Sequence, residues 1–300
     1  VNLVDYLREP ALAWPLVYRP LLVGAGLVLM SGTLSVLVVL KRLGFVGQGV
    51  SHSAFGGIGF AALAGVASSA WLGLRPVEGG LFELGIVLAF CIACALLMAE
   101  VSDRRTIRID TAIGVLLVGA MALGGLLVDA SRQWAGAIGQ PATGRSWESV
   151  LFGSVQVVGD QDVLVAWASA LLVLGTLWFV RRPMLFWALD EPAAEAFGVP
   201  VRRVRGVLMV LLALAVVVSM KLAGVVPATA LLVLPGAIAL QCSARLWRVL
   251  GISMLVGVGG LVASMALALQ LNLQPGPCLV LVLTVGFFVA WRVRGGNDQA

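Results

Sequence analysis

Of the 300 residues, 60% are hydrophobic and 12% are charged, about half the charge of an average soluble domain. That composition excludes a soluble enzyme or a soluble binding module and describes a polytopic all-α membrane protein. The net charge of +5 does not imply nucleic-acid binding, because in such a chain the side on which Lys and Arg fall reports orientation instead.

Residues 1–19 are mixed, with Pro10, Trp14, Pro15 and Tyr18, and read as an interfacial lead-in with no apolar core of a signal peptide. Pro20–Leu40 is free of charge and forms the first span, closed by Lys41 and Arg42. The second span runs from about Gly44 to Gly65, and the Pro-containing segment Arg75–Gly80 is a loop. Leu84–Ala99 is the third span, Glu100–Asp110 a charged loop and Thr111–Val128 the fourth span. Residues 129–160 are the longest polar stretch and are expected as a loop outside the membrane, with or without a short helix. Val163–Val180 is the fifth span, followed by the amphipathic, charged segment Arg181–Arg205. Gly206–Ala223 is the sixth. Leu222–Ala244, with Pro227, Pro235 and Gly236, reads as a short or broken seventh. Val249–Trp291 carries no charge over 43 residues, too long for one helix across a roughly 30 Å hydrocarbon core. The phrase Asn272-Leu-Gln-Pro-Gly-Pro splits it into spans eight and nine.

Nine spans are therefore expected, with eight or ten also compatible with the pattern. Alternate loops hold 14 of the 20 basic residues, which places those loops and the C-terminal end in the cytoplasm and Glu78, Asp129, Glu148 and Asp160 outside. Trp14, Trp71, Trp134, Trp147, Trp178, Trp187, Trp247 and Trp291 fall near span ends, as an interfacial belt would. The whole chain, 1–300, reads as one membrane domain.

The only histidine, His52, lies in an uncharged run of 32 residues from Leu43 to Leu74. On a helix it shares a face with Gln48 and Gly56, four residues before and after. Beside that face, Gly49, Ser53, Gly57, Ala61 and Gly65 put a small residue at every fourth position, a ridge that lets another backbone approach closely. This helix is expected at the centre of the fold. A lone helical histidine is often a hydrogen-bonded core residue. In a bilayer, ionisable groups also mark transport paths, and imidazole with an amide oxygen suits Zn, Mn or Fe.

Catalytic readings fail. Ser51 and Ser53 are adjacent to His52 in sequence and so project elsewhere on a helix. No G-x-x-x-x-G-K-[ST] or H-E-x-x-H motif occurs. Cys91 and Cys94 form a C-x-x-C inside an apolar run and read as two small residues on a buried helix face. Cys242 and Cys278 have no evident partner. The segment Leu189–Val201, LDEPAAEAFGVPV, places acids at its start and Gly198 near its end. Acids favour a helix N-terminus and glycine a helix stop. It reads as a short cytoplasmic helix, either a solvated connector or a docking element for a partner.

Six phrases in order resemble the permease subunits of zinc/manganese/iron-type ABC importers. They are VVLKRLGFVGQGVSHSAFGG at 38–57, IDTAIGVLL at 109–117, VLFGSV at 150–155, LDEPAAEAFGVPV at 189–201, AGVVPATALLVLPGAIAL at 223–240 and QPGPCLVLVLT at 274–284. The resemblance implies a fold like type II ABC importer permeases, in a bacterial plasma (inner) membrane. It implies a homodimer with two copies of a separate cytoplasmic ABC ATPase that carries the ATP. An extracellular or periplasmic binding protein would deliver a divalent transition metal, and the chain would hold no cofactor of its own. It further implies that His52 and Gln48 face the metal path. Asp190, Glu191, Ala194 and Gly198, in a coupling segment of about 189–203, would meet the ATPase. Gln48 departs from the family pattern, which usually has Asp there. Importers of a metal chelate, such as a siderophore or haem, have related loops. A membrane scaffold that moves nothing is the reading of a different class.

Overall fold

The structure, a computed structural model, describes residues 17–72, 81–103, 109–139 and 159–297. Ten helices are described. They are α1 (Arg19–Leu40), α2 (Gly44–Leu72), α3 (Leu81–Asp103), α4 (Ile109–Ala137), α5 (Asp160–Leu189), α6 (Glu191–Ala196), α7 (Val201–Ala223), α8 (Val225–Cys242), α9 (Leu246–Leu271) and α10 (Pro275–Asn297). All but α6 are long and apolar enough to cross a membrane, which makes nine such helices among the described residues. No strand occurs among them. A helix satisfies its own backbone, and that is why the spans are helical: lipid offers no partner for a free N–H or C=O.

Helix boundaries follow local chemistry. Pro20 opens α1 in its first turn, where its missing N–H is no loss. Asp160 and Asp162 sit in the first turn of α5, and the Asp162 carboxylate accepts the Gly159 amide at 3.0 Å. Gly224, at φ +97°, is the only residue between α7 and α8. Asn272, at φ +55°, ends α9 before Pro275 opens α10, so the long uncharged run is divided where its Asn and Pro residues indicated.

Three expectations are corrected. First, α4 runs to Ala137, nine residues past Val128, so the polar stretch begins as helix. Second, α5 continues through Arg181, Arg182 and Pro183 to Leu189. At 30 residues and about 1.5 Å per residue, it exceeds the hydrocarbon thickness, so its charged end extends the same helix instead of closing it. Third, of the short and broken readings of the seventh span only the short one holds: α8 is an unbroken 18-residue helix with Pro235 inside it. The expected outer residues Glu78 and Glu148, and Trp14, Trp71 and Trp147 as side chains, lie outside the described residues.

The described helices form two compact units. One contains α1, α5, α6, the last residues of α7, and α8 to α10. Within it α1 packs on α5, α8 and α9, and α8 packs on α9 and α10. Among the described spanning helices α1 is the most enclosed, with 78% of its most apolar stretch buried against 50% for α2, so the most tightly packed helix is not α2 as expected. Val36, Ala239 and Val249 join α1, α8 and α9 in one apolar cluster. Ser253 donates to the Gly32 carbonyl at 2.8 Å. Arg19 at the start of α1 pairs with Asp160 at the start of α5 at 2.8 Å, and Lys41 just past the end of α1 pairs with Glu191 just past the end of α5 at 3.0 Å. These pairs lie at matching ends of α1 and α5, which run parallel.

The other unit contains α2, α3, α4 and residues 202–217 of α7. Its seam is made by glycines. A Cβ on Gly57 would lie 2.8 Å from the Val87 Cα, and one on Gly59 would lie 2.8 Å from the Gly124 carbonyl oxygen. Gly56 faces Phe90, within 2.5 Å of a built Cβ, so it belongs to this seam and not to an open face beside His52. Arg202 at the start of α7 pairs with Glu100 near the end of α3.

Candidate functional site

Helix α2 presents one side to the glycine seam and leaves another uncovered. Phe45 is 64% exposed, Gln48 is exposed and His52 is half-buried, while Val46, Gly49, Val50 and Ser53 are buried. Gln48 and His52 therefore share the open side of the first turns, as their spacing predicted. His52 is eight residues into the helix, about 12 Å along its axis at 1.5 Å per residue.

The His52 ring stacks on Phe55, with centroids 6.0 Å apart and 25° between planes. Its Nδ1 is buried and has no hydrogen-bond partner. A buried polar nitrogen without a partner is costly, and imidazole is a common ligand of divalent transition metals. No group of three or more His, Cys, Asp or Glu occurs among the described residues. A lasting zinc site generally has four ligands. His52 and Gln48 by themselves could supply only two of those donors.

The serine neighbours take no part. Ser51 donates to the Gln48 carbonyl at 2.9 Å and Ser53 to the Gly49 carbonyl at 2.8 Å. Cys91 and Cys94 are free and buried, and the Cys91 thiol faces the Val50 carbonyl at 3.7 Å. The two cysteines pack α3 on α2, in line with the sequence reading.

The second candidate site is α6, a six-residue helix built from its own caps. Asp190 is the N-cap, and its carboxylate accepts the Ala193 amide at 3.0 Å. Gly198 lies at φ +78°. The Gly198 amide donates to the Glu195 carbonyl at 3.0 Å and the Val199 amide to the Ala194 carbonyl at 2.9 Å, a Schellman stop. Open space surrounds the position of a Gly198 Cβ, so backbone geometry alone calls for glycine.

Four residues of this segment were assigned as partner contacts, and the structure gives them different tasks. Asp190 caps the helix while staying exposed, Glu191 turns to Lys41, and Gly198 ends the helix at the surface. Ala194 is fully buried. What the surface does offer includes Leu189 and Phe197, 69% and 79% exposed. Sequence reasoning named neither, although both stand in the motif. Phe197 also packs on Phe186, 5.7 Å between centroids.

Trp187 was assigned to an interfacial belt, and the structure buries it to 2% exposure. The Lys41 ammonium sits 4.3 Å from its ring centroid. Trp134, Trp178, Trp247 and Trp291 are exposed as the belt requires.

Comparison with known proteins agrees with this architecture over nearly the full length. The manganese import system permease protein ScaB of Streptococcus parasanguinis is 27% identical over 265 residues, covering 88% of this chain and 86% of that protein. The manganese transport system membrane protein MntC of Halalkalibacterium halodurans is 28% identical over 263 residues, covering 88% and 82%. The solved structure of PsaBC from Streptococcus pneumoniae in complex with Fab superposes with a TM-score of 0.73 at 22% identity, over 96% of this chain and 94% of that one. The fold is thus that of an ABC permease, a multi-pass protein of the plasma membrane. Residues 13–294 match the family described as "ABC 3 transport family", and the chain belongs to that family.

Proposed function

We propose that this chain is the transmembrane subunit of an ATP-driven importer of divalent transition metal ions of the Mn, Zn or Fe class. The whole chain acts as one permease domain, paired with a second copy and with two copies of a cytoplasmic ATPase, and fed by a binding protein on the outer face. The basic loops and α6 lie in the cytoplasm. Asp129 and Asp160 lie outside.

The observation that carries this reading is His52. It is the chain's only histidine, it stands in a transmembrane helix with an unpartnered Nδ1, and it lies on the side of α2 that its own chain leaves open. A second copy across that face would enclose a path with two imidazoles and two amides. Gln48 supplies a neutral oxygen donor, so the pair attracts a divalent ion less strongly than an imidazole with a carboxylate. Transit with fast release suits such a site better than storage. On the cytoplasmic side, Leu189 and Phe197 flank α6 as exposed apolar side chains with Asp190 and Glu195 nearby in sequence, a mix that suits a groove in the ATPase.

Reconstitution in proteoliposomes with the ATPase and the binding protein tests the reading. ATP-dependent uptake of Mn, Zn or Fe ions supports it. Uptake of a siderophore or haem complex but of no free ion would assign a chelate permease. ATP hydrolysis that responds to neither would leave a scaffold.

A further inference from the structure

We infer that Lys41 is a positioning residue that fastens α6 to the α1–α2 joint, so that a displacement of α6 reaches the helix carrying His52. This rests on the reading of α6 as the ATPase contact and goes beyond it by naming the link on the transmembrane side.

Helix α6 is short. It has six residues, one of them fully buried, and single residues or short links on either side. It packs on α5, with Phe186 against Phe197 near its end. Lys41 adds a tie at its first turn. Its ammonium lies 3.0 Å from a Glu191 carboxylate oxygen and 4.3 Å from the Trp187 ring centroid, with its side chain 13% exposed. Glu191 is 150 residues away in sequence, so the pair joins elements that no local turn would join. Exposed ion pairs contribute little. This one is partly shielded from water, with the Glu191 side chain 33% exposed, and its cation also sits over an aromatic face, where it is held more firmly.

The other half of the link is covalent. Lys41 follows α1 directly, and α2 starts at Gly44. The turn between them is closed by the Arg42 amide on the Val39 carbonyl at 3.1 Å and the Leu43 amide on the Val38 carbonyl at 2.8 Å. Arg42 sits at φ +55°, where glycine is usual, and so occupies a conformation disfavoured for an L residue. A tightly closed turn transmits a pull on Lys41 instead of absorbing it. His52 lies eleven residues further along the same chain.

The test uses the assembled complex with ATPase and binding protein. Lys41→Met keeps the apolar stem and removes the charge, Glu191→Gln keeps the shape, and the double variant Lys41→Glu with Glu191→Lys reverses the pair. Both single variants should retain the ATPase and hydrolyse ATP near the wild-type rate, while metal moved per ATP falls about tenfold, a mid-range coupling effect. The reversed pair should recover much of that loss. A spin label at Glu195, exposed on α6, should become more mobile in Lys41→Met without any ATPase present. A wild-type ratio of metal to ATP in the single variants, no gain on charge reversal, or release of the ATPase by Lys41→Met would each overturn the inference. A wild-type chain that captures no ATPase is a different result: it overturns the docking reading of α6 itself.

Discussion

Gly236 and Ser35 bring the backbones of α8 and α1 into close contact. The Gly236 amide, next to Pro235 on α8, donates to the Ser35 Oγ on α1 at 2.8 Å, and a Cβ at position 236 would lie 2.6 Å from the Ser35 carbonyl carbon and oxygen. Backbone atoms cannot yield as a flexible side-chain tip can. Gly236→Ala should therefore destabilise the protein by about 1–3 kcal/mol, the usual cost of overpacking, seen as a lower melting midpoint in detergent. Gly259→Ala on α9 meets nothing within 4 Å. It should leave the midpoint unchanged or raise it, since alanine is favoured over glycine in a helix by about 1 kcal/mol. Equal midpoints for the two variants would mean that α1 and α8 do not cross at Gly236.

His52→Ala should abolish or strongly reduce metal uptake while expression and ATPase capture stay unchanged, because His52 is half-buried and its Nδ1 has no hydrogen bond to lose. Gln48→Asp should bind the metal ion more tightly and release it more slowly, as a carboxylate replaces a neutral donor. Both are read by uptake kinetics and equilibrium binding. Wild-type uptake by His52→Ala would make His52 a packing residue.

Gly198 tests the helix stop without steric interference. At φ +78° and with open space around its Cβ position, any substitution acts through the backbone. A β-branched residue is strained there by about 1–2 kcal/mol, whereas asparagine tolerates the left-handed region. Gly198→Val should misplace α6 and lower uptake per ATP, or loosen the ATPase. Gly198→Asn should keep most of both. If valine couples as well as asparagine does, the geometry of this stop does not matter to transport.

Sidedness is open to chemical labelling. In a background with Cys91, Cys94, Cys242 and Cys278 replaced, single cysteines at Asp129 and Asp160 should react with an impermeant reagent applied outside. A cysteine at Glu195 should react only from the cytoplasmic side. The opposite pattern would invert every span.

The number of spans and their rough places were legible because a bilayer imposes a local rule. A run of about 20 apolar residues must be helical, and the chain writes nine such runs with charges, prolines and glycines between them. The caps of α6 were legible for a similar reason: Asp190 and Gly198 act on amides and carbonyls within a few residues. The lengths of α4 and α5 were not, because charge marks where lipid ends and not where a helix ends. Arg181 and Arg182 are compatible with a helix that continues into water.

The sequence by itself determined that the chain spans a membrane about nine times, that Gln48 and His52 share one side of a helix, and that a short capped helix follows the fifth span. Tertiary structure alone decided that α1 and not α2 is the most enclosed helix, that Gly56 turns to Phe90, that Ala194 faces inward while Phe197 faces out, and that Trp187 lies buried beneath Lys41. The reason is physical. A helix that is apolar all round carries no stripe to show which side meets protein and which meets lipid. Contacts such as Lys41 with Glu191, 150 residues apart, depend on how helices pack and leave no periodic signal along the chain.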